Sequence, residues 1–466
     1  MKAYEVTKIG QNRGAPRIWL EGVKAKLAGF LPGKRFNIRK DESRRTLVLD
    51  LCPTGFRVVS RKSKSGLEVP VIDINSAELL KLFDGLTTVR VIVQQARIVI
   101  LPSHVELAKQ ERLARVKAQL QSGEPLTIGS LSHGGGVLSH ALHSGLRDAG
   151  IPVRLAFANE IRPELLEHAH RANDCWDAAT VPLAAPMQHL AFDSWAMDHL
   201  PKVSILEAGI PCSGASTAGR GRNGAGHAEA HPEVGHLIVP FLAIVAKLQP
   251  AVICVENVPG YKNTGSMCIL RNFLRDFGYV VHETEVDGHD WNSIENRSRL
   301  GVIAVTEGLQ FSFADLRRPA RLEQPIDSIL EHVTDDDERW SEMAGLKAKQ
   351  SRDLLAGKGF KMQLVQGTDT SCPTLTKGYS KVRSTDPKLR HPTNPRLLRQ
   401  FLPTEHAAMK QVPRHLISGL CVTTAHEVLG QSICYEPFKA VGICIGEMLA
   451  SLRSTHAVSC PVSQSQ

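Results

Sequence analysis

Along the chain, the spacing of apolar and polar positions changes character several times. Residues 1 to about 102 carry short β-type runs at 16–20, 46–51, 56–59, 88–93 and 96–100. The last two runs, split by Gln94-Gln95, read as a hairpin or as one bent strand. Residues 103–122 begin with Ser103 as an N-cap candidate, hold many good helix formers and end before Gly123, which predicts a connecting helix. From 126 to about 308, strand-length apolar runs at 126–131, 153–159, 203–208, 252–256, 279–286 and 300–305 alternate with helical stretches such as 234–248 and 266–277. That alternation predicts an α/β fold with a doubly wound, mostly parallel sheet. From 309 to 400 the rhythm gives way to charges and prolines, and a helical pattern returns at 427–452 with a break at Gly430. The expected organisation is a β-rich domain at 1–102, a connecting helix at 103–124 and the main α/β domain at 125–308. An irregular region at 309–400, a segment at 401–455 completing the α/β domain and a disordered tail at 456–466 follow.

Composition adds little beyond a folded globular chain: 466 residues are 42% hydrophobic and 22% charged, without a biased tract. Lys and Arg number 56 against 47 Asp and Glu, a net charge of +9 that suits a polyanionic partner or simply a basic surface. No apolar run reaches membrane-spanning length and the start lacks a signal-peptide pattern, so a cytoplasmic location is expected. Ten scattered cysteines show no C-x-x-C pair and no His/Cys cluster at zinc spacing, so reduced thiols and no metal site are expected.

Two sets of residues carry candidate chemistry. The first strand of the α/β region runs into Ser132-His133-Gly134-Gly135-Gly136, and a helix begins at Val137. Glycines there let backbone N–H groups approach a ligand beside a helix N-terminus. The next strand ends at Asn159-Glu160, where an acid commonly holds ribose hydroxyls. Together they point to an adenosine-type ligand; a plain tight turn and a helix-initiating acid are the alternatives. No Gly-Lys-Ser/Thr follows, so this is not a P-loop.

The second set lies at later strand ends: Pro211-Cys212, Glu256-Asn257, and Arg297 with Arg299 before a following strand. A thiolate is a nucleophile, and neighbouring cations lower its pKa. A carboxyl in the apolar run 252–256 is expected to favour its protonated form and donate to a ring nitrogen. Guanidiniums can bind a carbonyl oxygen. Singly, each has a plainer reading: a packed cysteine, a helix cap, a surface ion-pair site.

Taken together, these residues make the chain resemble the cytosine-C5 methyltransferase family, in particular its bacterial and phage DNA-modifying members. The family's Pro-Cys motif is similar to Pro211-Cys212, its Glu-Asn-Val motif to Glu256-Asn257-Val258, and its Gln-x-Arg-x-Arg motif to Glu295-Asn296-Arg297-Ser298-Arg299. Its glycine loop resembles 131–136, its ribose-binding acid Glu160, and its late Gly-Asn-x-Val motif Gly430-Gln431-Ser432-Ile433. Residues 372–376 and 402–405 resemble the end of its target-recognition region, which places that region at 309–400. The likeness spans roughly 126–452. It departs at Glu295 for Gln, Ser132 for Phe, Val137 for Gly and Gln431 for Asn, and Asp193 and Asp198 are the candidates for an acid after the third strand.

The resemblance implies a Rossmann-like fold that uses S-adenosylmethionine to methylate cytosine in double-stranded DNA. It implies Cys212, Glu256, Arg297 and Arg299 as catalytic, with Cys212 attacking C6, Glu256 on N3 and the arginines on O2 and phosphate. Leu131, Ser132, Gly134, Gly136, Glu160, Ile161, Pro211, Gln431 and Ser432 would line the cofactor. Ser213, Ser216, Asn257, Lys377, Lys381 and Arg383 would touch the substrate. The target base must leave the duplex, and the cationic loop 214–226 is expected to close over it. The basic stretch 377–399, which also holds Lys388, Arg390, Arg396 and Arg399, is expected to meet phosphates. At the N-terminus, 17–22 and 28–33 resemble the SymE/AbrB-like DNA-binding barrels, with Arg35, Arg39, Lys40, Arg44, Arg45, Arg57, Arg61, Lys62 and Lys64 as a basic region. A dimer through that domain, or a monomer, and a partner restriction endonuclease would follow. RNA cytosine methylation and a non-catalytic DNA-binding regulator are the competing readings.

Overall fold

The computed structural model describes residues 1–211 and 227–454. The chain forms two compact units, Met1–Glu111 and Arg112–Gln466. The division falls inside the helix His104–Ser122.

The first unit is built from two sheets. Six strands lie in the order Ala3–Lys8, Thr88–Gln94, Arg97–Pro102, Thr46–Leu51, Arg35–Asp41, Arg57–Val58. Four more lie in the order Gly10–Asn12, Ala15–Glu21, Leu67–Ile74, Ser60–Lys64. Alternation sets which face is inward: Val89, Val91 and Val93 are fully buried, as are Ile98 and Ile100 opposite them. The pairing of Arg97 with Gln94 makes this a hairpin, turned at Gln95-Ala96 with Ala96 at φ +60°.

The second unit centres on seven strands: β1 (Leu126–Leu131), β2 (Val153–Glu160), β3 (Val181–Ala184), β4 (Ile205–Gly209), β5 (Val252–Asn257), β6 (Tyr279–Asp287) and β7 (Ser298–Thr306). Their order is β3-β2-β1-β4-β5-β7-β6. The first five are mutually parallel, while β7 runs antiparallel to both β5 and β6. Every residue of β1 is buried, because helices cover both faces of a parallel sheet and its central strands read as continuous apolar runs. β3 escapes such a reading, being four residues long with three of them exposed. The chain leaves β1 toward β2 on one side and returns to β4 on the other, so strand order reverses there and a crevice opens at the carboxyl ends.

One helix contact closes the sheet. A Cβ on Gly145, in the helix Val137–Asp148, would come within 2.0 Å of the Lys439 carbonyl oxygen, so the helix Tyr435–Ser454 crosses at backbone distance. Leu142, Leu146, Val441, Ile445 and Leu449 fill the same core. Residues 309–400 contribute the helix Ala344–Leu355 and a three-stranded sheet of Leu364–Val365, Lys388–Arg390 and Leu398–Arg399, with a core that includes Ile326, Leu375, Tyr379 and Phe401. Among the described residues no helix is long and apolar enough to cross a membrane.

Candidate active site

The turn after β1 is held by its own side chains. Ser132, Gly134 and Gly136 all have positive φ (+54°, +57° and +76°), and Gly136 precedes the helix Val137–Asp148. A side chain at Gly136 would meet His133 and Asn173 at about van der Waals overlap, with a Cβ only 2.5 Å from the Asn173 Nδ2. His133 Nδ1 lies 2.7 Å from Ser130 Oγ, and Trp176 Nε1–H donates to His133 Nε2 at 3.3 Å. Burial lowers the His133 pKa to about 3, so the ring is neutral and braces the turn without charge. Leu131 is buried and can offer only its backbone.

Glu160, at the end of β2, faces this turn. Its Oε2 accepts the Gly134 N–H at 2.9 Å and its Oε1 the Arg162 N–H at 3.2 Å. Each oxygen keeps a further lone pair for a hydroxyl. Ile161 beside it is 63% exposed, an apolar face at a polar strand end, and the Cβ position of Gly134 opens onto free space. A carboxylate, an apolar flank and an open glycine turn fit an adenosine.

At the centre of the sheet β4 ends at Gly209, ahead of Ile210-Pro211. A Cβ at Gly209 would stand 3.7 Å from both Glu256 Oε2 and the Ser132 carbonyl oxygen, so the acid and the glycine turn flank the same strand end. Cys212, Ser213 and Ser216, together with the loop 214–226, lie outside the described residues. Asn257 is 1% exposed; its Nδ2 donates to the Ile210 carbonyl at 3.2 Å and its Oδ1 accepts the Val258 N–H at 2.9 Å. Both ends of the amide are therefore engaged by backbone. Asn257, expected to touch substrate, instead fixes the segment leading into Pro211.

The antiparallel course of β7 brings its first residues beside the end of β5, with Asn257 opposite Leu300. Arg299 Nε lies 2.7 Å from Glu256 Oε1 as an ion pair, and its Nη1 donates to the Ser298 carbonyl at 2.8 Å. Glu256 was expected in apolar surroundings; the structure gives it a guanidinium. Arg297 goes elsewhere. It is 3% exposed, donates to the Gly430 carbonyl at 2.8 Å and lies 3.4 Å from Glu295. The expected pair of substrate-facing arginines thus divides into one at the strand ends and one enclosed.

Arg297 belongs to a buried cluster that sequence reading missed. Glu295 is fully buried, with Lys410 Nζ at 3.9 Å and His406 Nε2 at 3.7 Å. Burial pushes the Glu295 carboxyl up, but Lys410, His406 and Arg297 outweigh it and hold it at about 2. Two cations share this one carboxylate. Burial and then Arg297 drive Lys410 down to about 7, and burial lowers His406 to about 4. Lys410 Nζ donates to the Leu429 carbonyl, to the Ser432 carbonyl at 3.2 Å and to Ser432 Oγ at 3.1 Å. The cluster thereby clamps Gly430-Gln431-Ser432. Gly430 is the penultimate residue of the helix Val422–Gln431, and the helical pattern breaks just after it, before Tyr435–Ser454; a Cβ at Gly430 would be 2.3 Å from the Lys377 backbone nitrogen. Gln431 is exposed, and Ser432 is half-buried under Lys410. Another missed acid, Glu207 in the middle of β4, is 2% exposed and raised to about 7, chiefly by burial.

Other expectations are corrected. Asp193 caps the helix Ser194–His199 through the N–H groups of Trp195 and Ala196, and Asp198 pairs with Lys247, so neither serves as an acid at a strand end. In the basic stretch Lys377 and Lys381 are exposed and Arg383 is half-buried. Lys388 and Arg399 are each 1% exposed: Lys388 donates to the Arg383 and Asp386 carbonyls, and Arg399 forms two hydrogen bonds with Glu405. Neither can reach a phosphate.

Residues 129–442 match the model of the C-5 cytosine-specific DNA methylase family. The chain belongs to that family. It is therefore a DNA cytosine-C5 methyltransferase with S-adenosylmethionine as methyl donor. The methyltransferase is 23% identical over 253 residues to the type II methyltransferase M.DsaV of Dactylococcopsis salina, an alignment covering 52% of this chain and 69% of the relative. It is 29% identical over 136 residues to M.MspI of Moraxella sp, covering 28% of this chain and 31% of that relative. Its fold is similar to that of the S. pombe Dnmt2 methyltransferase, with a TM-score of 0.54 at 18% identity over 71% of this chain and 99% of the other. Entamoeba histolytica EhMeth gives a TM-score of 0.53 at 17% identity, covering 71% and 99%.

Proposed function

We propose that this methyltransferase modifies cytosine within a specific double-stranded DNA sequence, through a covalent bond between Cys212 and C6 of a base turned out of the helix. The observation that carries the reading is the Glu256–Arg299 pair, held at 2.7 Å beside the strand end that leads to Pro211-Cys212 and flanked by the turn after β1. Cytosine C5 is too electron-poor to take a methyl group unaided. Addition of the Cys212 thiolate to C6 forms a C–S bond and moves the ring electrons toward C5, while Glu256 supports a proton at N3 and accepts from the amino group. Arg299 holds O2 and keeps Glu256 oriented. Glu160, Ile161 and the turn 132–136 hold S-adenosylmethionine, which supplies an electrophilic methyl group when bound. The C5 proton then leaves to solvent base, the electrons return to expel the Cys212 sulfur, and the methylated base is released. A thiol can reach the face of C6 only if the base has left the stack.

Arg297 acts in this reading as a positioning residue, through Gly430. Exposed Lys377 and Lys381 are the phosphate contacts from the target-recognition region 309–400, each adding about one unit to the salt slope of DNA binding. The first unit is a second DNA-binding module: its edge strand Ser60–Lys64 is exposed throughout and carries Arg61, Lys62 and Lys64. Arg61 and Lys62 are paired with Glu68 and Glu21 across exposed surface, and other cations of the unit have acidic or backbone partners too, as in Arg39 with Asp50, Lys40 with Glu42 and Arg45 with the Leu82 carbonyl.

The test is sequencing sensitive to 5-methylcytosine in cells producing the wild type or Cys212→Ser. A reproducible methylated DNA motif, lost in the variant, is expected. No mark in either under good expression overturns the reading, and a mark confined to RNA replaces it with RNA methylation.

A further inference from the structure

Away from the strand ends, three side chains with metal-binding chemistry converge from distant parts of the chain. His140 sits in the first turn of the helix Val137–Asp148, Asp174 just beyond the helix Pro163–Ala172, and His415 in the short turn Arg414–Ile417. Each offers one ligand atom, and these atoms all lie within 4.8 Å of one another. His140 Nε2 is 2.9 Å from Asp174 Oδ1, and the rings of His140 and His415 are 5.2 Å apart, edge to face. Sequence spacing hid the group, because no two of its members fall in one motif.

We propose that His140, Asp174 and His415 form a binding site for a divalent transition cation of the zinc class. Two imidazoles and one carboxylate are the donor set such cations prefer, whereas magnesium and calcium favour oxygen alone. Bonds of about 2.0–2.1 Å in a tetrahedral arrangement put ligand atoms about 3.3 Å apart. The His140–Asp174 separation opens slightly to reach that value, and the exposed His415 and Asp174 side chains close by rotation. His140 is the fixed member. It is 7% exposed, and its Nδ1 lies 2.6 Å from the Tyr435 hydroxyl. A proton on Nδ1, donated to that oxygen, leaves the Nε2 lone pair directed at the site, the outer-shell hydrogen bond that metal-bound histidines use. Solvent reaches the other two ligands, so the cation has an entry path and water completes its coordination. The bound cation ties the helix Val137–Asp148 to two other segments. The site lies outside the residues proposed for methyl transfer and does not depend on that reading.

The experiment is a titration of the full chain, stripped with a chelator, with Zn2+ in competition with a chromophoric chelator. Wild type is compared with His415→Ala and Asp174→Asn, both surface substitutions. Exposed Cys268 and Cys421 also offer thiol ligands, so the readout is the difference between chains. One equivalent in the wild type should weaken by more than roughly tenfold in each variant. Zinc should raise the melting temperature of the wild type and not that of either variant, while the stripped proteins melt together. Millimolar Mg2+ should not displace it. Equal uptake by all three chains, or no zinc-dependent shift in the wild type, overturns the proposal and leaves a simple His140–Asp174 hydrogen bond.

Discussion

Glu256 with Arg299 and Glu295 with Arg297 bring the same two side-chain types together in neighbouring parts of the second unit. The first pair is 2.7 Å apart with both side chains 13% exposed; the second is 3.4 Å apart with exposures of 0% and 3%. The outer pair stands at the ends of β5 and β7, where a substrate can replace solvent against it. The inner pair has no such access, and its charge is shared with Lys410 and His406 while its cations hold backbone carbonyls of 429–432. Two positions in sequence, Arg297 just ahead of β7 and Arg299 within it, therefore separate a group with solvent access from one that holds the 429–432 backbone. Burial and the neighbouring cation decide the role, since the side-chain types are identical.

The contrast can be broken most directly at the outer pair. Glu256→Gln should lower methyl transfer by about 10²–10⁴-fold, the range for loss of a positioned acid–base group, with the urea midpoint nearly unchanged; a large loss of stability would place Glu256 with the inner pair. Glu295→Ala should do the reverse. Removing the one carboxylate between buried cations costs about 3–5 kcal/mol, read from urea unfolding, and a stable variant would show the cluster to be dispensable. Glu295→Gln restores the residue common in the family yet leaves Lys410 without its anion, so it should be less stable than the wild type; adding Lys410→Met should recover part of that loss, a coupling that a double-mutant cycle measures.

A pH dependence probes the inner pair as well. Lys410 titrates at about 7 in the folded chain against an ordinary value of 10.5. Between these values the unfolded chain binds more protons, so stability should rise as pH increases from about 7 toward 10.5, and Lys410→Met should flatten that rise. Glu295 acts at the other end: its folded value of about 2 lies below the ordinary 4.5, so its contribution is lost as pH falls through that window.

The central strands were legible because β1, β4 and β5 are buried on both faces, and a run such as 252–256 has few other uses. β3 was not, because a short edge strand needs no apolar pattern. Glu160, Glu256 and Arg299 could be marked because each sits at a strand end next to a recognisable turn or motif. Arg297 and Asn257 carry the same motif signal, yet enclosure changes what they touch, and enclosure depends on residues far along the chain. Nothing near Lys410 announces that it will lie beneath Ser432 or meet Glu295. Likewise Gly430 marks the break between two helices, but nothing near it announces that the backbone at Thr376-Lys377 excludes a side chain there.

The crossing of Val137–Asp148 by Tyr435–Ser454 also sets a timetable for synthesis. The first helix leaves the ribosome long before its partner exists, and at about 5–20 residues per second the interval is roughly a quarter of a minute to a minute. Throughout it Leu142, Leu146 and the bare backbone at Gly145 lack the cover that Val441, Ile445 and the Lys439 backbone later give. A stop codon within 435–454 would remove this covering layer of the core for good.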